Sequence, residues 1–282
     1  MLSGIGDPEQ LAEAGIKPVA ALPGVGANLQ DHYASMLAHE RKEPGPFVRF
    51  TRADRLMLGM ARAYLFGSGP ATDVPGGFMA FLKSEPGIDL PDFQLIFRSA
   101  PPGARPWFPG WRPAWHDGFG CRPVLLRPES RGSIRLRSAD PFAPVRIHQN
   151  FLSTENDLRT LRAAFRLTRE VAAAAPLDRL RGREVSPGPD VRSDAEIDAH
   201  ARAVGITAHH PCGTCRMGAA GDGAVVDGEL RVFGIDGLRV VDASVMPDLV
   251  GGNINAAVIM IAEKAADMIL GRTPAAQRNA ID

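Results

Sequence analysis

His209-His210-Pro211-Cys212-Gly213-Thr214-Cys215-Arg216-Met217-Gly218 sets two histidines and a C-x-x-C into a glycine-rich turn, and the sequence after it reads as α/β. Leu238-Arg239-Val240-Val241 has the look of a short buried strand ending in Asp242. Gly251-Gly252-Asn253-Ile254-Asn255 then opens an apolar helix over 256–270, which Gly271 stops with Pro274 close behind. Ligands of open α/β sheets gather at the carboxyl ends of strands, which makes Asp242 a candidate contact.

Working back toward the start, the periodicity predicts a helix over 157–175. Leu158, Leu161, Ala164, Phe165, Leu167 and Val171 recur at helical spacing, and Pro176 ends the run. Ser193 and Glu196 form a capping-box start for a helix over 194–203. A further helix is expected over 56–66, and a short one from Pro8 with Asp7 as its cap. Strands are expected at 17–22, 91–97, 124–127, 133–137 and 145–148, with 128–132 as a turn joining two of them. Between about 33 and 120 the chain is rich in Pro and Gly, with loop signals at 44–46, 67–75 and 101–113.

The 282 residues are 45% hydrophobic and 23% charged, enough to bury a substantial core. Lys+Arg and Asp+Glu each total 32, so the net charge of zero argues against general nucleic-acid binding. Three cysteines make no disulfide framework and fit a reducing compartment. The apolar run 256–262 is stopped by Glu263 and is too short to span a bilayer. A cytoplasmic protein with no nucleic-acid partner and no transmembrane segment is expected.

Three tracts together carry a resemblance. They are His210-Pro211-x-Gly213-Thr214-Cys215-Arg216-Met217-Gly218, Val240-Val241-Asp242-Ala243-Ser244-Val245-Met246-Pro247, and Gly252-Asn253-x-Asn255-Ala256 followed by 261–267. They resemble the C-terminal half of the glucose–methanol–choline (GMC) flavoprotein oxidoreductases, and most of all its choline dehydrogenase-like alcohol dehydrogenases. Ser3-Gly4-Ile5-Gly6 and Leu22-Pro23-Gly24-Val25-Gly26-x-Asn28-Leu29-Gln30-Asp31-His32 resemble earlier motifs of the same family, in the same order.

The resemblance implies FAD as cofactor and a small-molecule alcohol as substrate. It implies His210 as the base that takes the hydroxyl proton and Asn253 as its catalytic companion. Asp242, Ala243, Asn253, Ile254 and Asn255 would contact the cofactor, with Asn28 and Asp31 near it. An Asp242 that merely caps 243–246 and an Asn253 that merely caps its helix are the plainer readings of those two residues. The resemblance also implies that residues 1–33 and 205–282 belong to an FAD-binding domain, interrupted by a substrate-binding domain over 34–204 with an antiparallel sheet and helices.

The family's strand–GxGxxG–helix unit, which holds the pyrophosphate on backbone N–H groups, does not occur in these residues. A separate N-terminal FAD-binding half is therefore an expected partner, and an inactive fragment or an assembly partner of a split flavoprotein is the alternative. A third reading takes His209, His210, Cys212 and Cys215 as a metal or redox site. It lacks a second ligand pair at conventional spacing, so no metal is expected.

Overall fold

The computed structural model describes residues 1–72, 77–101 and 103–272, and the chain divides into two compact units. Unit one comprises Met1–His32, Leu126–Asp157 and Thr207–Asp282; unit two comprises Tyr33–Leu125 and Leu158–Ile206. The boundaries expected after 33 and 204 fall close to those after His32 and Ile206, while 126–157 of the middle span group with the first unit. Residues 126–157 pack with the first unit because their chain is held there: Gly132 exchanges both backbone hydrogen bonds with Leu29, at 3.0 and 2.8 Å. The loop expectations at 73–76 and 102, and the stop at Pro274, lie outside the described residues.

Unit two is built on an antiparallel sheet. The strand Gly118–Leu125 is its centre, pairing with Leu37–Arg41, with Phe93–Arg98 and with Tyr33–Ala34. Arg181–Ser186 extends it beyond Leu37–Arg41, and Phe78–Leu82 extends it beyond Phe93–Arg98. Alternation sends Phe93, Leu95, Phe119 and Cys121 to one face. There they form a core with Ala164, Phe165 and Ala172 of the helix Glu155–Ala173 and Ile197 of the helix Asp194–Val204. The opposite face carries Ile96, Arg98, Gly120 and Arg122.

The helices follow their local signals. Glu155 and Asp157 lie in the first turn of Glu155–Ala173, where they oppose the helix dipole. Asp194–Val204 starts on a complete capping box from Ser193 and Glu196. Strands with no counterpart in the expected set include Tyr33–Ala34, Leu37–Arg41, Phe78–Leu82, Arg181–Ser186 and Ile206–Thr207, and Gly118–Leu125 starts well before the expected 124. Leu37–Arg41 and Arg181–Ser186 mix polar and apolar side chains and pair far along the chain, while Phe78–Leu82 is all apolar and lacks the alternation that marks a strand.

Unit one has little regular structure. Ile5–Gly6 pairs in parallel with Ala20–Ala21, and Ser133–Arg135 pairs antiparallel with Arg146–His148. The turn expected at 128–132 does not join paired strands: its two flanks belong to different sheets and different units. The extended tract 238–241 is not a ladder strand either. Its one bridge is Arg231 to Arg239, and Val241 is exposed, because no neighbouring strand lies beside it among the described residues. A second core forms around Val226, Val232, Val245, Met246 and Ile261, under the helix Asn255–Ile269.

Truncating Phe165, fully buried against the sheet, leaves a cavity and is expected to cost about 3–5 kcal/mol. The same change at Phe142, 91% exposed, should stay within about 0.5 kcal/mol. Chemical denaturation midpoints of the two variants check this contrast.

Candidate active site

His210 sits on the loop after the strand Ile206–Thr207, and buried Asp31 fixes that loop. One Asp31 oxygen accepts from the His210 backbone N–H at 2.9 Å, and the other accepts from the Thr207 hydroxyl. Gly213, at φ +88°, lets the next turn pass close to Asn28: a Cβ there would lie 2.5 Å from the Asn28 carbonyl oxygen. Asn28 donates to the carbonyls of Gly213 and Pro247 and accepts from Arg131 Nε at 3.0 Å. Asn28 and Asp31 therefore spend their polar atoms on the protein itself; they brace the His210 loop.

The ring of His210 is set by a residue that the sequence reading passed over as part of a motif. His32 is fully buried, and its Nδ1 lies 2.9 Å from His210 Nδ1. His32 Nε2 lies 3.1 Å from the carbonyl oxygens of both Leu126 and Val250. Two carbonyls can only accept, so His32 Nε2 carries the proton. Burial, and after it the nearby His210, pull the His32 pKa down to about 4, so the ring is neutral near pH 7. Its Nδ1 then holds a lone pair and accepts from His210 Nδ1–H. By elimination, His210 Nε2 is the unprotonated nitrogen.

Asn253 Nδ2 approaches that nitrogen at 3.5 Å. Asn253 does not cap the following helix: the cap position is Ile254, without a side-chain cap hydrogen bond. The helix Asn255–Ile269 thus opens uncapped, with Asn255 exposed and no acidic residue in its first turn. Such an end is electropositive. His210 itself is held below the ordinary histidine pKa, chiefly by burial, with Asp31 opposing and His209 adding to the shift.

Asp242 is exposed and caps the 3-10 turn Ala243–Val245 by accepting from Ser244 N–H at 2.7 Å. Ala243 and Ser244 face inward through their carbonyls, which accept from Gly213 and Cys215. In the C-x-x-C, burial pushes the Cys212 thiol up to about 12 and raises that of Cys215, which disfavours their thiolates. His209 is exposed, at φ +64°.

Residues 128–262 match the family model described as GMC oxidoreductase. Over those residues the chain is similar to the C-terminal part of that family. It is 43% identical over 276 residues to the oxygen-dependent choline dehydrogenase of Chromohalobacter salexigens, covering 96% of this chain and 48% of that protein. The like-named protein of Brucella anthropi is 42% identical, with 98% and 50% covered. Among solved structures, pyridoxine 4-oxidase from Mesorbium loti superposes with a TM-score of 0.79 at 30% identity, covering 96% of this chain and 48% of that one. A formate oxidase variant of Aspergillus oryzae RIB40 gives 0.83 at 27%, covering 96% and 51%. The chain spans about half the length of each. Among the described residues no helix is long and apolar enough to cross a membrane.

A buried histidine that must stay neutral links folding to pH. The unfolded His32 protonates below about 6.5, while the folded one resists until about 4. Its contribution is complete above the upper value and is lost as pH falls between the two, by roughly 3 kcal/mol at about 1.4 kcal/mol per unit. Denaturation free energies measured from pH 7.5 to 4 should fall by that order for the parent, and much less steeply for His32→Gln.

Proposed function

We propose that unit one carries the proton-abstracting half of a flavin-dependent oxidation of a primary or secondary alcohol. The observation that carries the reading is the lone pair on His210 Nε2, fixed by His32 and bordered by Asn253. A substrate hydroxyl donating to that nitrogen would give up its proton to a base already neutral near pH 7 and held in one tautomer. Asn253 can donate its amide N–H to the substrate oxygen as negative charge builds there, without titrating itself.

The residues present fit FAD on one side. The uncapped, acid-free start of Asn255–Ile269, with Asn253 and Ile254 before it, suits an electron-rich ring, an attraction of about 0.3–1 kcal/mol at an exposed terminus. Bound there, FAD supplies the acceptor for the hydride that leaves the carbinol carbon. Asp242 and Ala243 remain candidate contacts to the cofactor through the exposed carboxylate and the turn backbone. Three supports converge on this reading: the family match, the choline dehydrogenase and pyridoxine and formate oxidase relatives, and the histidine geometry. The reaction is assigned to these residues working with a GxGxxG-bearing polypeptide of the kind that completes the family pattern, since the chain spans about half of its relatives.

In the FAD-loaded, full-length assembly, anaerobic stopped-flow reduction at saturating alcohol tests the roles. His210→Ala should slow flavin reduction by about 10²–10⁴-fold with little change in substrate affinity. Asn253→Ala should slow it by about 10-fold to 10³-fold. Cys212→Ser and Cys215→Ser should leave it nearly unchanged; loss of reduction in those two with His210→Ala intact would replace the histidine base with the C-x-x-C.

The pH profile offers a second check. His210 must be deprotonated to act, and its pKa lies below the ordinary 6.5. The reduction rate should therefore rise with pH and reach its plateau before neutrality. Replacing Asp31 by Asn removes the charge that raises the His210 pKa, and should move the rising limb to lower pH.

A further inference from the structure

The sheet face of unit two that turns away from Phe119 and Cys121 holds an unusual pairing. Arg122 stands opposite Ile96, and Gly120 stands opposite Arg98, so the two arginines are diagonal neighbours on one face. Gly120 contributes no side chain, and a cavity of about 250 Å³ opens there. Arg98, Arg122, Met36, Phe47, Pro101 and Ala104 line it, and none of its lining residues is acidic.

Two features set these arginines apart. The buried Nε of Arg122 has no hydrogen-bond partner. Other arginines of this unit meet carboxylates, as Arg162 meets Asp198 at 2.5 Å, Arg169 meets Glu184 at 2.7 Å and Arg41 meets Asp117 at 3.5 Å. Among the described residues neither Arg98 nor Arg122 has such a partner. Each instead faces the other's charge, and burial followed by Arg98 lowers the Arg122 pKa. A cavity that holds two like charges and an unsatisfied donor is complementary to an oxyanion, because a guanidinium fork fits a carboxylate with two parallel hydrogen bonds.

We propose that this cavity binds the carboxylate of a small organic acid, its apolar body resting on Phe47, Met36 and Pro101. The volume, that of about eight waters, admits a carboxylate on a single ring or a short carbon chain. Cationic ligands are rejected by the same two charges. The assignment concerns unit two alone and does not rest on the flavin reading.

The test uses the full chain without cofactor, with benzoate, inorganic phosphate and choline chloride as probes at matched ionic strength. Melting temperature and the NMR signal of the Arg122 Nε–H are followed through each titration. Benzoate should raise the melting temperature and shift that signal saturably, phosphate should act more weakly, and choline should do no more than sodium chloride. Arg122→Gln and Arg98→Gln should each weaken benzoate binding by about tenfold or more, with Arg122→Lys retaining part of it. Should Arg122→Gln fail to fold, Arg98→Gln, at an exposed residue, carries the comparison. Benzoate that moves neither observable, that binds the arginine variants as well as the parent, or that binds no better than phosphate overturns the proposal.

Discussion

Five residues, Asn28 to His32, hold unit one together. Gln30 exchanges both backbone hydrogen bonds with Cys212, at 3.1 and 2.9 Å, while Leu29 does the same with Gly132. The Gln30 side chain donates to the Pro247 carbonyl and accepts from Leu249 N–H, and Asn28 reaches Gly213 and Pro247. Buried backbone and amide groups must find partners, and here those partners come from three distant stretches of the chain. The segment ends in His32, whose ring is thereby locked between two carbonyls and His210. Everything the candidate site does depends on that lock.

The electrostatics of the two histidines are complementary. His32, deep and uncharged, cannot compete for the proton or repel a protonated His210. His210 is poised between burial, which favours the neutral ring, and Asp31, which favours the charged one. A base that alternates between the two forms needs that balance, since a proton must be taken and later released. The Asp31 carboxylate supports the loop with both oxygens, so positioning and charge stabilisation come from one side chain.

The two units differ in how they present their side chains. Unit one presents titratable groups on irregular, heavily hydrogen-bonded loops. Unit two presents a sheet with one face committed to its core and the other carrying Ile96, Arg98, Gly120 and Arg122. The relatives named above act in their own names on choline, pyridoxine and formate, which differ in charge and size. That one scaffold hosts such variety is a general property of folds.

Much of this was readable in the sequence because it is local. The capping box at Ser193, the Asp7 and Pro8 start, the 3.6-residue periodicity around Phe165 and the apolar helix after Asn255 are each decided by residues a few positions apart. The resemblance named His210 and Asn253 from their motifs. Tertiary structure decided the rest, for reasons of distance along the chain. Arg181–Ser186 exists only through pairing with Leu37–Arg41, which in turn needs Gly118–Leu125 beside it. Residues 126–157 join unit one through bonds to distant stretches, such as Leu29 to Gly132, Ile134 to Gly26 and Arg131 to Asp248. The tautomer of His210 was beyond any sequence pattern. It is written by the carbonyls of Leu126 and Val250, backbone atoms that every residue type carries and that only folding brings to His32.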